Sequence, residues 1–357
     1  MNFHTQLCAC GPKFAVCEKG RVIGMMRIIG TGSCLPLNVV TNDDLSKIMD
    51  TSDEWISSRT GIKERRLAKE ETTASMAAEA SQKALKNAGV GADEIDLIIV
   101  GTITGDYVTP STSCEVQAKL GAANAVAFDV NAACSGFMFA LHTAYVYLQS
   151  GIYKTALIVG AETLSKIMDW NDRSTCVLFG DGAGAAVVRT YADGESGERE
   201  MEGRGRGGLL AFTQGSDGAK GSVLACRDRV NNNPLIQNPY ELGYVSMDGQ
   251  EVYKFAVSTV PSSIIKVLEM SQLKTEDIKY FVLHQANIRI IQSVAKRLKV
   301  SEDKFPLSLD HCGNISAASV PILLDEMNQK GMLRPGDKIV MSGFGAGLTW
   351  GTAVIEW

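Results

Sequence analysis

The chain has 357 residues, of which 45% are hydrophobic, and a formal net charge of −5. This length allows one large core or two halves, and the acidic balance argues against nucleic acid as a partner. Nine cysteines without framework spacing, and N-terminal apolar stretches too short for a secretory signal, favour reduced thiols and a cytoplasmic location.

The first 25 residues differ from the rest of the chain. Four residues with metal-binding side chains fall in this stretch: His4, Cys8, Cys10 and Cys17. They could supply a metal site. A loose extension is the simpler interpretation of residues 1–25, so we predict no metal. Regular patterning begins near Met26.

A long stretch without charge lies in the middle of the first half. Val130 to Tyr153 contains no Asp, Glu, Lys or Arg, which predicts a helix at the centre of a domain. Its polar residues and two glycines argue against a membrane span. Cys134 precedes this helix, where the helix dipole is expected to lower the pKa of a thiol. We therefore predict a nucleophile at Cys134; a small buried packing residue is the alternative.

Two pairs of segments match each other at nearly the same separation. Residues 84–100 align without gaps with 267–283, about 183 positions later, and residues 156–160 align with 338–342 at about 182. Both members of the longer pair have the pattern of a helix end, an acidic turn and a buried strand. The repeat predicts a duplicated half-domain, with chance similarity between two α/β segments as the alternative.

Short aliphatic runs alternate with helical patterns in both halves. This alternation predicts an α/β fold whose strands are covered on both faces. We place the halves at 26–192 and 209–357, with the charged, glycine-rich stretch 193–208 as their connection or an insertion beside it. The aliphatic runs are Leu97–Val100, Leu157–Val159, Phe281–Leu283 and Ile339–Met341.

The repeat relates polar residues of the second half to the nucleophile of the first. An offset of about 180 carries Cys134 to Asn314, and the strand end at Leu283-His284 corresponds to Val100-Gly101. Matching ends of two equivalent halves can meet at one crevice, so Cys134, His284 and Asn314 could converge. The alternatives are a structural histidine at 284 and an N-cap or Asx turn at 314.

Three glycine clusters invite different interpretations. Gly30–Gly32 and Gly180–Gly184 are weak matches to nucleotide-binding loops, because one lacks the third glycine and the other lacks an acidic ribose partner. Gly343–Gly347 could bring backbone N–H groups close to a developing oxyanion, although a tight turn is the alternative.

A basic helix follows His284, opposite an apolar stripe. Such a face is usually only solvated, but in an acidic protein it could dock an acidic partner. The basic residues are Arg289, Lys296, Arg297 and Lys299.

From about Arg27 to Trp357 these motifs together resemble β-ketoacyl-[acyl-carrier-protein] synthase III, the condensing enzyme that starts type II fatty acid synthesis. The resemblance implies an α/β thiolase-type fold, with two duplicated halves in five αβαβα layers. The motifs that carry it are Asp50–Ile56, Arg59–Ile62, Ala133–Phe137, Phe179–Ala185, His284–Asn287, Gly313–Ser316 and Gly343–Gly351.

The resemblance also implies a mechanism. Cys134 would take the acyl group of an acyl-coenzyme A as a thioester, within an oxyanion hole formed by the backbone N–H groups of Cys134 and Ala346. The family often has glycine at the Ala346 position. His284 and Asn314 would hold the thioester carbonyl of malonyl-acyl carrier protein during loss of CO₂. The reaction would need no cofactor, since coenzyme A enters as part of a substrate.

Further positions match binding residues of that family. Arg289 would dock the acidic carrier protein, and Phe344 would line the acyl pocket. In the expected homodimer Thr109 would reach the partner subunit's pocket, where its small size favours a primer larger than acetyl. Three positions would bind the nucleotide end of coenzyme A: Trp55, Arg59 and Arg173.

Rival classes fit the sequence less well. Asn314 argues against elongating synthases, which use Cys-His-His, and against thiolases with a second active cysteine. The stretch 50–55 argues against plant-type polyketide synthases. A papain-like protease would have its cysteine near the mature N-terminus. A non-enzymatic nucleotide-binding module would retain its function in Cys134→Ala.

Overall fold

A computed structural model describes residues 24–191, 207–228, 230–231, 233–238 and 243–357. The cysteines and histidine of the N-terminal extension, and nearly all of the predicted connection 193–208, lie outside these residues. The strands are β1 Met25–Cys34, β2 Val39–Thr41, β3 Glu64–Arg66, β4 Leu97–Gly101, β5 Val126–Val130, β6 Thr155–Thr163, β7 Asp181–Tyr191, β8 Gly208–Ser216, β9 Leu224–Cys226, β10 Val245–Met247, β11 Tyr280–Leu283, β12 Lys338–Gly345 and β13 Thr349–Glu356. The α-helices are α1 Asn42–Ser46, α2 Asp53–Thr60, α3 Thr73–Ala88, α4 Thr112–Leu120, α5 Gly136–Gln149, α6 Gly249–Met270, α7 Ile288–Leu298, α8 Leu309–Cys312 and α9 Ser319–Gln329.

Two mixed sheets form the frame of the molecule. The first has the order β1-β7-β6-β4-β5 and the second the order β11-β12-β13-β8. Central pairs are parallel: Leu97 pairs with Ala156 in the first sheet and Tyr280 with Ile339 in the second, 183 positions later in both strands. The predicted repeat is therefore present in the strand register. Among the described residues the second sheet has no counterpart of β5.

The two sheets and their helices pack in five layers. Helices α5 and α9 lie between the sheets, where their side chains form one core cluster with the inner sheet faces. Helices α3 and α4 cover the outer face of the first sheet, and α6 and α7 cover that of the second. This is the thiolase-type arrangement that the family resemblance implied. Because α5 is buried on most of its surface, its lack of charge is explained.

Close packing, and not nucleotide binding, accounts for two of the glycine clusters. A Cβ at Gly30 would lie 2.5 Å from the carbonyl oxygen of Ala84 on α3, and one at Gly32 would lie 2.3 Å from that of Ala80. A Cβ at Gly184 would lie 2.6 Å from the backbone nitrogen of Ile322 on α9. These strands therefore need glycine to approach the helices that cover them.

Candidate active site

Cys134 lies at the start of the central helix, in a 3₁₀ turn that follows β5. The turn spans Ala133–Ser135, and Ala133 adopts a left-handed φ of 44°. The thiol is buried, with the residue only 8% exposed. Gly345 at the end of β12 packs directly on it: a Cβ there would lie 3.0 Å from the sulfur and 3.1 Å from the backbone nitrogen of Cys134. Glycine at 345 therefore leaves room for a group bound to the sulfur.

The predicted lowering of the thiol pKa is wrong for the enzyme without substrate. Burial raises the pKa of Cys134 to about 11, and a contact with the Ser316 hydroxyl only partly opposes this effect. Desolvation of the thiolate outweighs the favourable position before α5. A base or a substrate group must therefore help to remove the thiol proton.

His284 directly follows β11, as predicted. Its backbone N–H donates to the carbonyl of Ser342 at 2.8 Å, which fixes the residue to the edge of the second sheet. Phe344 packs edge-on against the imidazole, with ring centroids 5.2 Å apart. Burial lowers the pKa of His284 to about 3, so the ring is neutral and can donate one hydrogen bond.

Asn314 is held by backbone and side-chain hydrogen bonds. Its N–H donates to the carbonyl of Leu178 at 2.9 Å, and its carbonyl accepts from Gly180 at 3.0 Å. The side-chain oxygen accepts from the N–H of Ser316 at 2.9 Å, so the Asx turn considered as an alternative is present. Since this bond occupies Oδ1, the amide group of Asn314 remains as a donor.

The register relating Asn314 to Cys134 needs correction. The strands repeat at 183 positions, and so do the turns: Ala133–Ser135 corresponds to Ser316–Ala318. Ala317 is therefore the counterpart of Cys134, and Asn314 lies three residues earlier. An offset of 180 reached Asn314 only because the repeat length was rounded.

One cavity of about 650 Å³ brings these residues together. Cys134, His284 and Asn314 all line it, with Phe344 and Gly345. The halves thus contribute a thiol from one side and an imidazole and a carboxamide from the other. Their catalytic roles, and those of the backbone N–H groups of Cys134 and Ala346, remain predictions.

The three residues predicted to bind coenzyme A cluster on the surface. The guanidinium carbons of Arg59 and Arg173 lie 4.6 and 5.1 Å from the ring centroid of Trp55. Ser52 caps the helix that carries Trp55 and Arg59, and Arg173 pairs with Asp50. Arg59 also lines the cavity, so this aromatic and cationic cluster lies next to its opening.

Arg289 lies where the cavity meets the basic helix. It is exposed, lines the cavity and donates to the carbonyl of Ser58 at 2.9 Å. The other three basic residues of this face are exposed too: Lys296, Arg297 and Lys299.

Thr109 lies apart from the other predicted site residues. It is exposed and does not line the cavity of its own chain. A role in that cavity would therefore require a second copy of the chain.

Two histidines outside the site have structural partners. His142 is buried, and its Nδ1 lies 2.7 Å from the side-chain oxygen of Gln214. His311 bridges Asp310 and Glu326 at 2.8 and 2.9 Å. With Cys312 and Glu326 it forms a group whose ligand atoms lie within 4.8 Å of one another. His311 is already paired with both acids, and we assign no metal there.

Sequence reasoning missed several residues around the cavity. Glu162 and Ser316 are buried beside Cys134, and Met247 and Tyr253 line the cavity wall. A signal for Glu162 existed, since it is the only charged residue in β6. No sequence signal marked the part of the cavity wall formed by β10 and α6, because these residues lie in a region without a recognisable motif.

Sequence and structure comparisons identify the relatives of this chain. Profiles described as 3-oxoacyl-[acyl-carrier-protein (ACP)] synthase III and its C-terminal part match residues 128–205 and 268–357. The β-ketoacyl-[acyl-carrier-protein] synthase III of Clostridium acetobutylicum is 51% identical over 333 residues, covering 93% of this chain and 98% of the relative. That of Clostridium novyi is 50% identical, covering 93% and 99%.

Solved structures agree with this assignment. The 3-oxoacyl-[acyl-carrier-protein] synthase III of Aquifex aeolicus superposes with a TM-score of 0.83 at 44% identity, covering 93% of this chain and all of that one. No helix among the described residues is long and apolar enough to cross a membrane. The motifs, the fold and the relatives lead to one conclusion: the chain belongs to the β-ketoacyl-[acyl-carrier-protein] synthase III family of acyltransferase-type condensing enzymes.

Proposed function

We propose that the chain condenses an acyl-coenzyme A primer with malonyl-acyl carrier protein to give 3-oxoacyl-acyl carrier protein, CO₂ and coenzyme A. This reaction initiates type II fatty acid synthesis. One observation carries the proposal: a buried thiol, a neutral imidazole and a carboxamide donor line a single cavity beside a cluster suited to a nucleotide. Membership of the family supports it.

In the first half-reaction the thiolate of Cys134 attacks the carbonyl of the acyl-coenzyme A. A tetrahedral oxyanion forms, and the backbone N–H groups of Cys134 and Ala346 donate to it. Coenzyme A leaves as its thiolate, and the acyl group stays on the sulfur. The space left by Gly345 accommodates the new thioester.

In the second half-reaction malonyl-acyl carrier protein enters the same cavity. His284 and Asn314 donate to its thioester oxygen, which receives the negative charge as CO₂ leaves. Because decarboxylation creates the carbanion, no strong carbon base is required. The carbanion attacks the acyl-Cys134 carbonyl, and the Cys134 thiolate is the leaving group. These steps use no metal or cofactor.

Substrate binding follows from the surroundings of the cavity. The adenine of coenzyme A stacks on Trp55, and Arg59 and Arg173 pair with its phosphates. The carrier protein docks through its acidic surface on Arg289 and the basic face of α7. Phe344 bounds the acyl pocket. Thr109, supplied by a second subunit, leaves room for a primer larger than acetyl.

A homodimer accounts for one exposed edge of the first sheet. Among the strands that the structure describes, none pairs with the outer edge of β5, and exposed apolar side chains lie around it, among them Val108, Val126 and Val146. An open apolar edge invites pairing with another strand. A second copy seated there covers these side chains and brings its Thr109 loop to the same face.

The six described cysteines are free, which fits a cytoplasmic enzyme.

The test is reconstitution with purified components. The protein is mixed with a panel of acyl-coenzyme A thioesters and malonyl-acyl carrier protein, and the carrier-bound product and released CO₂ are measured. We expect 3-oxoacyl-acyl carrier protein in equal amount to CO₂, with larger primers preferred to acetyl. Absence of carrier-bound product with every primer, from folded protein, would contradict the proposal.

A further inference from the structure

A buried carboxyl group lies behind the nucleophile. Glu162 is fully buried in β6, where every other residue is uncharged. Its Oε2 accepts hydrogen bonds from the backbone N–H of Ile103 at 3.2 Å and from the hydroxyls of Thr102 and Thr104. Its Oε1 has no hydrogen-bond partner among the described residues. One oxygen is thus anchored, and the other is free to exchange a proton.

The turn that carries Ser316 packs against both the strand of Glu162 and the turn of Cys134. The Ser316–Ala318 turn packs directly on β6, since a Cβ at Gly160 would lie 2.2 Å from the carbonyl oxygen of Ala317. Glu162 is two residues after Gly160 and therefore on the same face of the strand. Ser316 is buried, its turn also packs on the turn that carries Cys134, and its hydroxyl has no hydrogen-bond partner of its own among the described residues. The hydroxyl lowers the pKa of both Cys134 and Glu162.

The chemistry at Cys134 needs a nearby proton acceptor. Burial raises the pKa of the thiol to about 11, whereas it lowers that of His284 to about 3, so the imidazole is a poor base. Burial raises the pKa of Glu162 to about 7, although the surrounding donors, first of all the Thr104 hydroxyl and the Ile103 N–H, oppose this effect. A carboxyl group that titrates near neutrality can both take and return a proton.

Other titratable groups near Glu162 have their own partners. On the adjacent strand β7 Asp181 accepts from Ser165 and from the N–H of Ala68. Lys166 donates to the backbone carbonyls of Thr104 and Gly105. Glu162 acts as a charge on Cys134 and raises the pKa of its thiol.

We propose that Glu162, acting through the Ser316 hydroxyl, accepts the proton of Cys134 during acylation and returns it during condensation. The inference rests on the proposed two-step reaction. In acylation the S–H bond breaks and the proton moves to Ser316 Oγ. The Oγ–H proton of Ser316 moves to Glu162 Oε1 in the same step. The thiolate then attacks the acyl-coenzyme A.

The proton balance closes over the full cycle. Coenzyme A leaves as a thiolate and takes a proton from water. When the carbanion attacks acyl-Cys134, the sulfur leaves as a thiolate and regains its proton from Glu162 through Ser316. The enzyme returns to its starting state, and the net reaction consumes one proton from solvent, as replacement of a carboxylate by CO₂ requires.

The test is the single-turnover rate of Cys134 acylation by acyl-coenzyme A, followed by intact mass between pH 5.5 and 9. In the native enzyme we expect the rate to fall below about pH 7, because protonated Glu162 cannot accept a proton. In Glu162→Gln the rate at pH 7.5 should drop about 10²-fold and this inflection should vanish. Ser316→Ala should do the same, and the double variant should be no slower than either single one.

Two further measurements separate a proton relay from a structural role. Decarboxylation of malonyl-acyl carrier protein depends on His284 and Asn314 and should stay within about threefold of native in both variants. Asp325→Asn is the matched control: this buried carboxylate also accepts from hydroxyls, those of Thr31 and Ser33, but lies outside the cavity. It should keep the native rate and inflection.

An unchanged acylation rate or inflection in Glu162→Gln and Ser316→Ala would overturn the relay. Equal loss of acylation and decarboxylation in these variants would overturn it too, since that pattern marks a distorted cavity. Failure of the native enzyme to form any acyl adduct would instead contradict the proposed function.

Discussion

The two halves of the molecule build the same turn and place different chemistry on it. Ala133 and Ser316 occupy equivalent positions with left-handed φ values of 44° and 43°, and a central helix follows each turn. In the first half the next residue is Cys134. In the second it is Ala317, and the polar groups are those of Asn314 and Ser316. Duplication thus preserved the backbone, while the side chains diverged into a nucleophile in the first half and hydrogen-bonding groups in the second.

This difference predicts that the two half-reactions can be separated by substitution. Removal of the donors His284 and Asn314 should affect decarboxylation, and changes in the groups that act on the Cys134 thiol should affect acylation, whichever half supplies them. The following predictions test that separation, from the largest expected effect to the smallest.

His284→Ala and Asn314→Ala should each reduce decarboxylation of malonyl-acyl carrier protein by roughly 10²–10³-fold, because each removes a donor to the developing oxyanion. Acylation of Cys134 should stay within about threefold of native. Release of ¹⁴CO₂ and intact mass measure the two steps. Asn328→Ala removes a carboxamide bonded to Thr31 and should change neither. An equal loss in both steps would contradict the separation.

Gly345→Ala should slow acylation by about 10²-fold, because the added methyl group would lie 2.7 Å from Cβ and 3.0 Å from the sulfur of Cys134. The rate of adduct formation at saturating acyl-coenzyme A measures this effect. Gly218→Ala is the matched control, since a Cβ there meets no atom of the described residues within 4 Å. A native rate in Gly345→Ala would mean that the thioester does not occupy this space.

Trp55→Ala should raise KM for acyl-coenzyme A by about tenfold, because it removes one stacked base at roughly 1–3 kcal/mol. The value of kcat should change little, since Trp55 lies outside the cavity. An acyl-pantetheine substrate provides the control, because it lacks the nucleotide and its KM should not change. Equal losses with both substrates would show that Trp55 acts through the fold of α2.

His311→Gln should have the smallest effect, a pH-dependent loss of stability. The Cys312 thiol and the Glu326 carboxylate raise the pKa of His311 to about 11, from an ordinary 6.5. Its contribution is therefore complete below pH 6.5 and is lost as the pH rises towards 11. For this partly exposed group we expect a Tm decrease of about 2 °C at pH 6 and less at pH 9.

Thermal unfolding at the two pH values tests this prediction. Lys330→Gln is the matched control, since it removes another partner of Glu326 and leaves the imidazole of His311 in place. A loss in His311→Gln that grows with pH would contradict the assigned direction.

Much of the fold could be predicted because burial leaves regular patterns. The four aliphatic runs all lie within strands of the two sheets, and the charge-free stretch forms the central helix α5. The repeat was visible because both halves bury equivalent elements. The offset used to relate Cys134 to Asn314 was three residues too short, because matching motifs does not determine a repeat length to the exact residue.

The site could be predicted only where a motif marked it. Cys134, His284 and Asn314 follow strands or turns in recognisable sequences, and the structure places all three around one cavity. The direction of the thiol pKa was not predictable, because it depends on desolvation by residues distant in sequence. Ser316 lies in the Gly313–Ser316 motif, but no role was predicted for it, because its contacts arise only when the second half packs against the first.

The most direct test of this account is the mass of the peptide that contains Cys134. Incubation with an accepted acyl-coenzyme A should add one acyl group to this peptide, and later addition of malonyl-acyl carrier protein should remove it with release of CO₂. Cys134→Ala should show neither event. Folded native enzyme that makes product while the Cys134 peptide stays unmodified throughout would contradict the central claim.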